Sequence, residues 1–215
     1  MMVFWKAGLA FLAVPKTGTQ AYAATLGAEA DILIRNPPDL KHMTAQRFRR
    51  KFLPMLDRNG DDSLETLAVI REPLDWLGSW YRYRGREGLK GHPNSTAGLS
   101  FDQFVEGYLA EKQPAWATVG SQHRFVTGGK GKLLVDHLFA YEDQAALRDF
   151  LGDRIGHIVE PPPRRNGSPP RPQELSPNTE ARLRERCAAD FALHETLRAV
   201  GSAAAVSEAA RAPSR

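Results

Sequence analysis

The sequence predicts an α/β fold: one domain with a central, mostly parallel β-sheet flanked by helices. Three observations predict it. The chain has 215 residues, enough for one sizeable core and short of two domains. Short, unbroken apolar runs recur along it, and such runs suit strands covered on both faces. Helical stretches alternate with those runs, which is the pattern left by crossover connections in a parallel sheet.

The elements follow in order. "LAFLAV", Leu9 to Val14, is the first buried strand, and "TQAYAATLG", Thr19 to Gly27, is a helix ended by Gly27. "DILIR", Asp31 to Arg35, is a second short strand. In "TAQRFRRKFLPML" a helical period puts Phe48, Phe52 and Leu53 on one side. "TLAVIREP", Thr66 to Pro73, is the next buried strand, and a helix runs through "LDWLGSWYRYR" after it. "SFDQFVEGYLAE" is a helix capped by Ser100, with Gln103 completing a capping box. "KLLVDHLFAYED" supplies one strand or two, and "QAALRDFLGD" a helix closed by Gly152. From Glu160 to Pro172 six prolines and a glycine exclude regular structure. Ser176 then caps, and Pro177 opens, one long amphipathic helix reaching Val200. Residues 1–200 form the domain, and the small, polar 201–215 a flexible tail.

Composition narrows the function. Apolar content is 42% and charged content 25%, as in ordinary globular chains. The formal charge of +4 favours an anionic ligand, whereas a dedicated nucleic-acid binder concentrates more charge, so no nucleic-acid partner is expected. Cys187 is the single cysteine, which excludes an internal disulfide and assigns it to the core; no cluster has metal-ligand spacing. The uncharged run Ala7 to Val14 is too short to span a membrane, and no small-residue cleavage site follows it. The expectation is a cytoplasmic protein without a membrane partner.

Two motifs sit where ligands bind such sheets, outside the carboxyl ends of strands. The first is Pro15-Lys16-Thr17-Gly18-Thr19-Gln20, between a strand and a helix. A strand–loop–helix unit aims backbone N–H groups at one point and makes an anion site. Lys16 adds a full charge, Thr17 and Thr19 add hydroxyls, and Gly18 allows close approach. A surface turn with a solvated lysine is the plain alternative. The order is not that of a Walker A loop, because Lys16 precedes Gly18. The second motif is "VIREPLDWLGSWYRY", with Arg71 at the strand end, Pro73 after it, and Ser79 eight residues beyond Arg71. An arginine there can fork onto a phosphate and a helix hydroxyl can return to the same place. Taken singly, Arg71 could equally make a local salt bridge and Ser79 fill a helix. Trp80 and Tyr81 read as core residues.

Together these motifs resemble the sulfotransferases that use 3′-phosphoadenosine 5′-phosphosulfate (PAPS), in their carbohydrate-type and bacterial branch. The resemblance spans most of Phe11 to about Val200, closely in the two motifs and loosely elsewhere. It implies a P-loop-like architecture, akin to nucleotide kinases. It implies that Pro15 to Gln20 hold the 5′-phosphosulfate, with Lys16 stabilising the bridging oxygen, and that Arg71 and Ser79 hold the 3′-phosphate. This chain departs from the family at Gln20 (usually Thr or Ser), Glu72 (usually Asn) and Trp76 (often a second Arg).

Transfer to a hydroxyl needs a base, and the family often places a histidine between the two motifs. Here that is His42, with Glu29, Asp31 and Asp39 in reserve and Lys41 as a supporting cation; a surface histidine is the plain alternative. In "PPPRRNGSPPRP" the resemblance makes Arg164, Arg165, Asn166 and Ser168 secondary cofactor contacts, against a solvated loop. "RFRRKF" and "YRYRGREGLKGH" either hold an acidic glycan or form solvated faces. The expected reaction is transfer of the sulfuryl group from PAPS to an acceptor hydroxyl, a sugar by analogy, without a metal. A P-loop-type small-molecule kinase and a non-catalytic nucleotide- or polyanion-binding module are the rival readings.

Overall fold

A computed structural model describes residues 1–56, 64–162 and 168–201. The expected tail and the candidate contacts Arg164, Arg165 and Asn166 lie outside the described residues, Gly201 excepted. The strands are β1 (Met2–Phe4), β2 (Leu9–Phe11), β3 (Ile32–Leu33), β4 (Glu65–Ile70) and β5 (His137–Ala140). They form one open sheet in the order β3-β1-β2-β4-β5. β2–β4 and β4–β5 pair in parallel, while β1 is antiparallel to both β2 and β3.

The sheet is therefore mixed, which corrects the mostly parallel expectation. The difference is β1, which the apolar-run reading left unassigned. Its chain turns back at Gly8, whose N–H donates to the Trp5 carbonyl at 3.0 Å, and β1 and β2 close a tight hairpin. Since β1 alone is reversed, the other four strands still point one way. Their carboxyl ends gather on one side of the sheet.

Both faces are covered, as the unbroken apolar runs require. Leu9, Phe11, Leu67, Val69 and Phe139 face one side. There they meet Tyr22 and Leu26 at α1 (Thr19–Thr25) and Leu147 and Leu151 of α8 (Gln144–Ile155). Ala10, Leu12, Ala68, Ile70 and Leu138 face the other side. There they meet the 45–56 segment, α7 (Gln122–Val126) and α10 (Ala188–Val200). The short α2 (Pro38–Lys41) precedes that segment, which holds α3 (Ala45–Arg47), a π-turn (Phe48–Phe52) and α4 (Leu53–Leu56). The widened turn keeps Phe48 buried and Phe52 and Leu53 packed beside it, as the period predicts. A third cluster joins α5 (Pro73–Arg84), α6 (Phe101–Leu109) and α9 (Pro177–Arg186) through Trp76, Tyr81, Phe104 and Leu183. Ser100 and Gln103 make the expected capping box on α6.

Two helix ends differ from expectation. α8 runs past Gly152 and stops at Gly156, which adopts a left-handed φ of 92°. Gly152 is small for another reason: a Cβ there would stand 2.9 Å from the returning carbonyl of His157. The expected long C-terminal helix breaks at Cys187 into α9 and α10. The break lets Leu183 enter the α5–α6 cluster while Leu193 and Leu197 pack on the sheet. Asp190 fixes the corner, accepting from the Ser121 hydroxyl at 2.9 Å and the His123 N–H at 2.9 Å. Cys187 is partly buried against that cluster, close to its expected place. Among the described residues no helix is long and apolar enough to cross a membrane. None of their His, Cys, Asp and Glu side chains form a group that could hold a metal ion.

Candidate functional site

The aligned strand ends supply one cavity of about 680 Å³. Lys16 follows β2, His42 follows β3, Arg71 follows β4 and Tyr141 follows β5, and all four line it. Of the residues singled out in the sequence, Pro15, Gly18, Thr19, Gln20, Ser79 and Ser168 line it too.

The Pro15–Gln20 loop is held from both sides. Thr17 is fully buried and its hydroxyl donates to the Val14 carbonyl at 2.9 Å, so it braces the loop from within and is not part of the lining. From α5, the Trp76 indole N–H donates to the Pro15 carbonyl at 2.8 Å. Where the resemblance expects an arginine, this chain thus has a loop support. Lys16 and Gly18 both adopt left-handed φ, 65° and 77°. For a lysine that conformation costs on the order of 1 kcal/mol, and strain of this kind collects at functional sites. At Gly18 the glycine is required twice over, by its φ and because a Cβ would stand 3.1 Å from the Tyr141 ring.

Arg71 is fixed through its main chain and its side chain. The buried Gln122 amide accepts from the Arg71 N–H at 2.9 Å and donates to the Arg71 carbonyl at 2.8 Å. The guanidinium lies 4.4 Å above the Tyr141 ring and pairs with Asp75 Oδ2 through Nε at 2.6 Å and Nη2 at 2.5 Å. The local salt bridge considered for Arg71 does form, and the same residue also lines the cavity. Asp75 lies four residues along the chain, and that short spacing is the signal that could have named it. Gln122, far away in sequence on α7, left no local signal.

Beyond Ser79, the face of α5 and the turn after it carry Trp80, Arg82, Tyr83 and Arg86 into the cavity. Tyr81 is in the core as expected, while Trp80 is not confined to it. The basic run "YRYRGREGLKGH" is therefore split. Arg84 is buried and donates to the Ala115 and Thr118 carbonyls at 2.8 and 2.9 Å. Arg86 donates to the Ser168 hydroxyl at 3.1 Å and lies over Tyr83 at 4.9 Å. "RFRRKF" turns elsewhere, with Arg49 on Asp136 at 2.8 Å.

His42 Nδ1 is 2.7 Å from the Ala13 carbonyl. A carbonyl only accepts, so Nδ1 carries the proton and Nε2 keeps a lone pair. Burial lowers the pKa of His42; the Ala13 bond opposes this, and the Lys41 and N-terminal charges add to the lowering. The ring is therefore neutral near pH 7, as a base must be. The reserve carboxylates are engaged or apart: Glu29 with His157 at 2.6 Å, Asp31 accepting from the Trp5 N–H at 2.6 Å, and Asp39 outside the lining. Lys41 is also outside the lining. Comparison of the chain with protein-family models, with curated proteins and with solved structures finds no match.

Among the described lining residues the formally charged side chains, Lys16, Arg71, Arg82 and Arg86, are all cationic. The consequence falls on Lys16. Burial first, then the charges of Arg86, Arg71, Arg82 and Lys41, lower its pKa to about 8. A bound anion relieves this and raises the pKa again. Below about pH 8 Lys16 is already protonated and binding is at full strength. Above it, binding must take up a proton, so affinity for an anion is expected to fall by up to about tenfold per pH unit. Calorimetry at about pH 7 and about pH 9, in buffers of different ionisation enthalpy, reads both the loss and the proton uptake. Equal affinity at the two values with no proton uptake would show that Lys16 does not meet the anion.

Proposed function

We propose that the protein is a PAPS-dependent sulfotransferase with a P-loop-like phosphate loop at Pro15–Gln20, acting on a hydroxyl of a carbohydrate acceptor. One observation carries the reading. Residues picked from two separate motifs, Lys16 and Gly18–Gln20 with Arg71 and Ser79, line one cationic cavity that also holds a histidine with an unprotonated Nε2. The donor set suits a nucleotide with two separated anionic ends. Lys16 and the strained loop would take the 5′ end, and the fixed guanidinium of Arg71 with the Ser79 hydroxyl would take the 3′-phosphate. A free 3′-phosphate distinguishes PAPS from ATP, so Arg71 and Ser79 would set the choice.

PAPS supplies a sulfuryl group on a good leaving group, and the product is adenosine 3′,5′-bisphosphate. The chain's residues do the rest. His42 Nε2 receives the proton of the acceptor hydroxyl, and the Nδ1–H bond to Ala13 holds the ring in the tautomer that can do so. Lys16 places positive charge where negative charge grows on the departing oxygen. Trp76, Thr17 and Gln122 keep these groups in place before any ligand arrives.

Calorimetric titration with adenosine 3′,5′-bisphosphate, with AMP and with ATP plus magnesium tests this. The expected result is micromolar binding of the bisphosphate and binding at least about tenfold weaker for the other two, since a matched phosphate contact is worth more than 1 kcal/mol. Preference for ATP with magnesium would hand the site to a kinase. Tight bisphosphate binding without turnover of PAPS on any hydroxyl acceptor would leave a binding module.

A further inference from the structure

The peptide joining Arg71 to Glu72 is gripped from two sides. The buried Gln122 of α7 donates to its carbonyl at 2.8 Å, and Glu142, just past β5, accepts from its N–H at 2.9 Å. A peptide unit is planar, so holding both groups fixes the plane. That plane sets how Arg71 leaves β4 and how α5 begins. The Glu72 side chain accepts from the Asp75 N–H at 2.7 Å, and Asp75 in turn holds the Arg71 guanidinium through Nε at 2.6 Å. A turn of the plane would therefore move the arginine and its carboxylate together.

Both grips lead back to one helix. Oε2 of Glu142 lies 3.0 Å from Nε2 of His194, a buried residue of α10. Burial raises the Glu142 pKa, but the bonds from His194, from the Glu72 N–H and from its own main chain outweigh this and bring it to about 2. The carboxylate is thus ionised and only accepts, so His194 donates from Nε2. Four residues earlier on the same face of α10, Asp190 accepts from the Ser121 hydroxyl and the His123 N–H, each at 2.9 Å. Those two residues flank Gln122. Glu142 also follows Tyr141, whose ring lies 4.4 Å from the Arg71 guanidinium. Gln122, Glu142, Asp190 and His194 all stand outside the cavity lining.

We propose that Glu142 and His194 are positioning residues for Arg71, and that α10, through them and through Asp190 and Gln122, sets selectivity for a 3′-phosphate. Selectivity rests on the sulfotransferase reading above, whereas the aiming of Arg71 does not. Neither residue touches the ligand. They keep the guanidinium aimed before a ligand arrives, and a small error in that aim weakens a forked bond to phosphate.

Two readouts separate aiming from general stability. The first is the ratio of the affinities for adenosine 3′,5′-bisphosphate and AMP, measured by calorimetry. Glu142→Ala and His194→Ala are expected to cut the wild-type ratio by about three- to tenfold, with AMP binding nearly unchanged. His194→Gln keeps an N–H donor near the place of Nε2 and should restore part of the ratio. Added to Arg71→Ala, His194→Ala should change the ratio no further, since both act through one guanidinium. The second readout needs no ligand. The Nε–H nuclear magnetic resonance signal of Arg71, assigned by its loss in Arg71→Lys, should shift or broaden in both alanine variants and recover in His194→Gln. Equal losses for bisphosphate and AMP would make the pair a general support and overturn the proposal. So would an Arg71 signal that is the same in a folded Glu142→Ala or His194→Ala as in wild type. If the wild type does not prefer the bisphosphate to AMP, the sulfotransferase reading fails on its own account. The Arg71 signal alone then decides whether Glu142 and His194 aim that residue.

Discussion

Arg71→Ala is expected to weaken binding of adenosine 3′,5′-bisphosphate by about a hundredfold. A charge-assisted, forked bond to phosphate contributes about 1.5–3 kcal/mol, and the loss here is compounded. Asp75 now neutralises Arg71 across 2.5 Å, and in the variant its carboxylate would stand unpaired near the incoming phosphate. The fold should survive, because Gln122 grips the main chain of residue 71 and an alanine keeps both hydrogen bonds. That separates loss of a contact from loss of the strand end. Arg71→Lys should recover little. A point charge cannot hold Asp75 side-on and also lie flat on Tyr141. Asp75→Asn removes the competing carboxylate but also the orienting bond, so its effect should be smaller and coupled to that of Arg71 in a double-mutant cycle. Calorimetry on wild type, the three single variants and the double variant, with thermal unfolding as the control for folding, gives the answer. A folded Arg71→Ala that binds the bisphosphate like wild type would remove the 3′-phosphate assignment.

How much of this was legible in the chain depends on distance along it. Strand–loop–helix order, the capping box at Ser100, the cap at Ser176 and the two motif loops are local patterns, and the structure contains them. β1 was not legible, because Met2–Phe4 is three residues long and gains its meaning only from pairing with β2 and β3. The break at Cys187 was hidden for a similar reason. The helical period runs on through it, and only the need to serve two cores divides the helix. At the site, charge-bearing residues announced themselves by type and spacing, but their supports did not. Trp76, Gln122 and Tyr141 act through contacts to residues tens of positions away. The basic run after Ser79 was legible as charge and not as direction. Its residues alternate between core and cavity according to their angle around α5, so Arg84 is buried between carbonyls while Arg82 reaches the cavity.

Turnover should depend on His42 more steeply than on any other residue of the cavity. His42→Ala is expected to lower kcat by about a hundred- to ten-thousand-fold, the range for loss of a positioned general base. Bisphosphate affinity should change little, because no part of the nucleotide's charge is assigned to the imidazole. The pH profile makes the test specific. With its pKa held below the ordinary histidine value by burial, His42 should give wild type a rising acid limb that is complete by neutrality. Lys16 should give a falling limb in kcat/KM for PAPS, as its proton leaves the free protein near pH 8. In His42→Ala the acid limb should disappear and the alkaline limb remain, because the two limbs belong to different groups on different strand ends. Measuring kcat/KM for PAPS against pH for both proteins reads this directly. An acid limb that persists unchanged in the alanine variant would place the base elsewhere. Glu29 and Asp31 would then have to leave His157 and the Trp5 N–H to serve. A variant that lost bisphosphate binding in proportion to turnover would instead make His42 a support of the loop. Its bond to the Ala13 carbonyl, two residues before Pro15, makes that the competing role, and the unaltered alkaline limb is what separates the two.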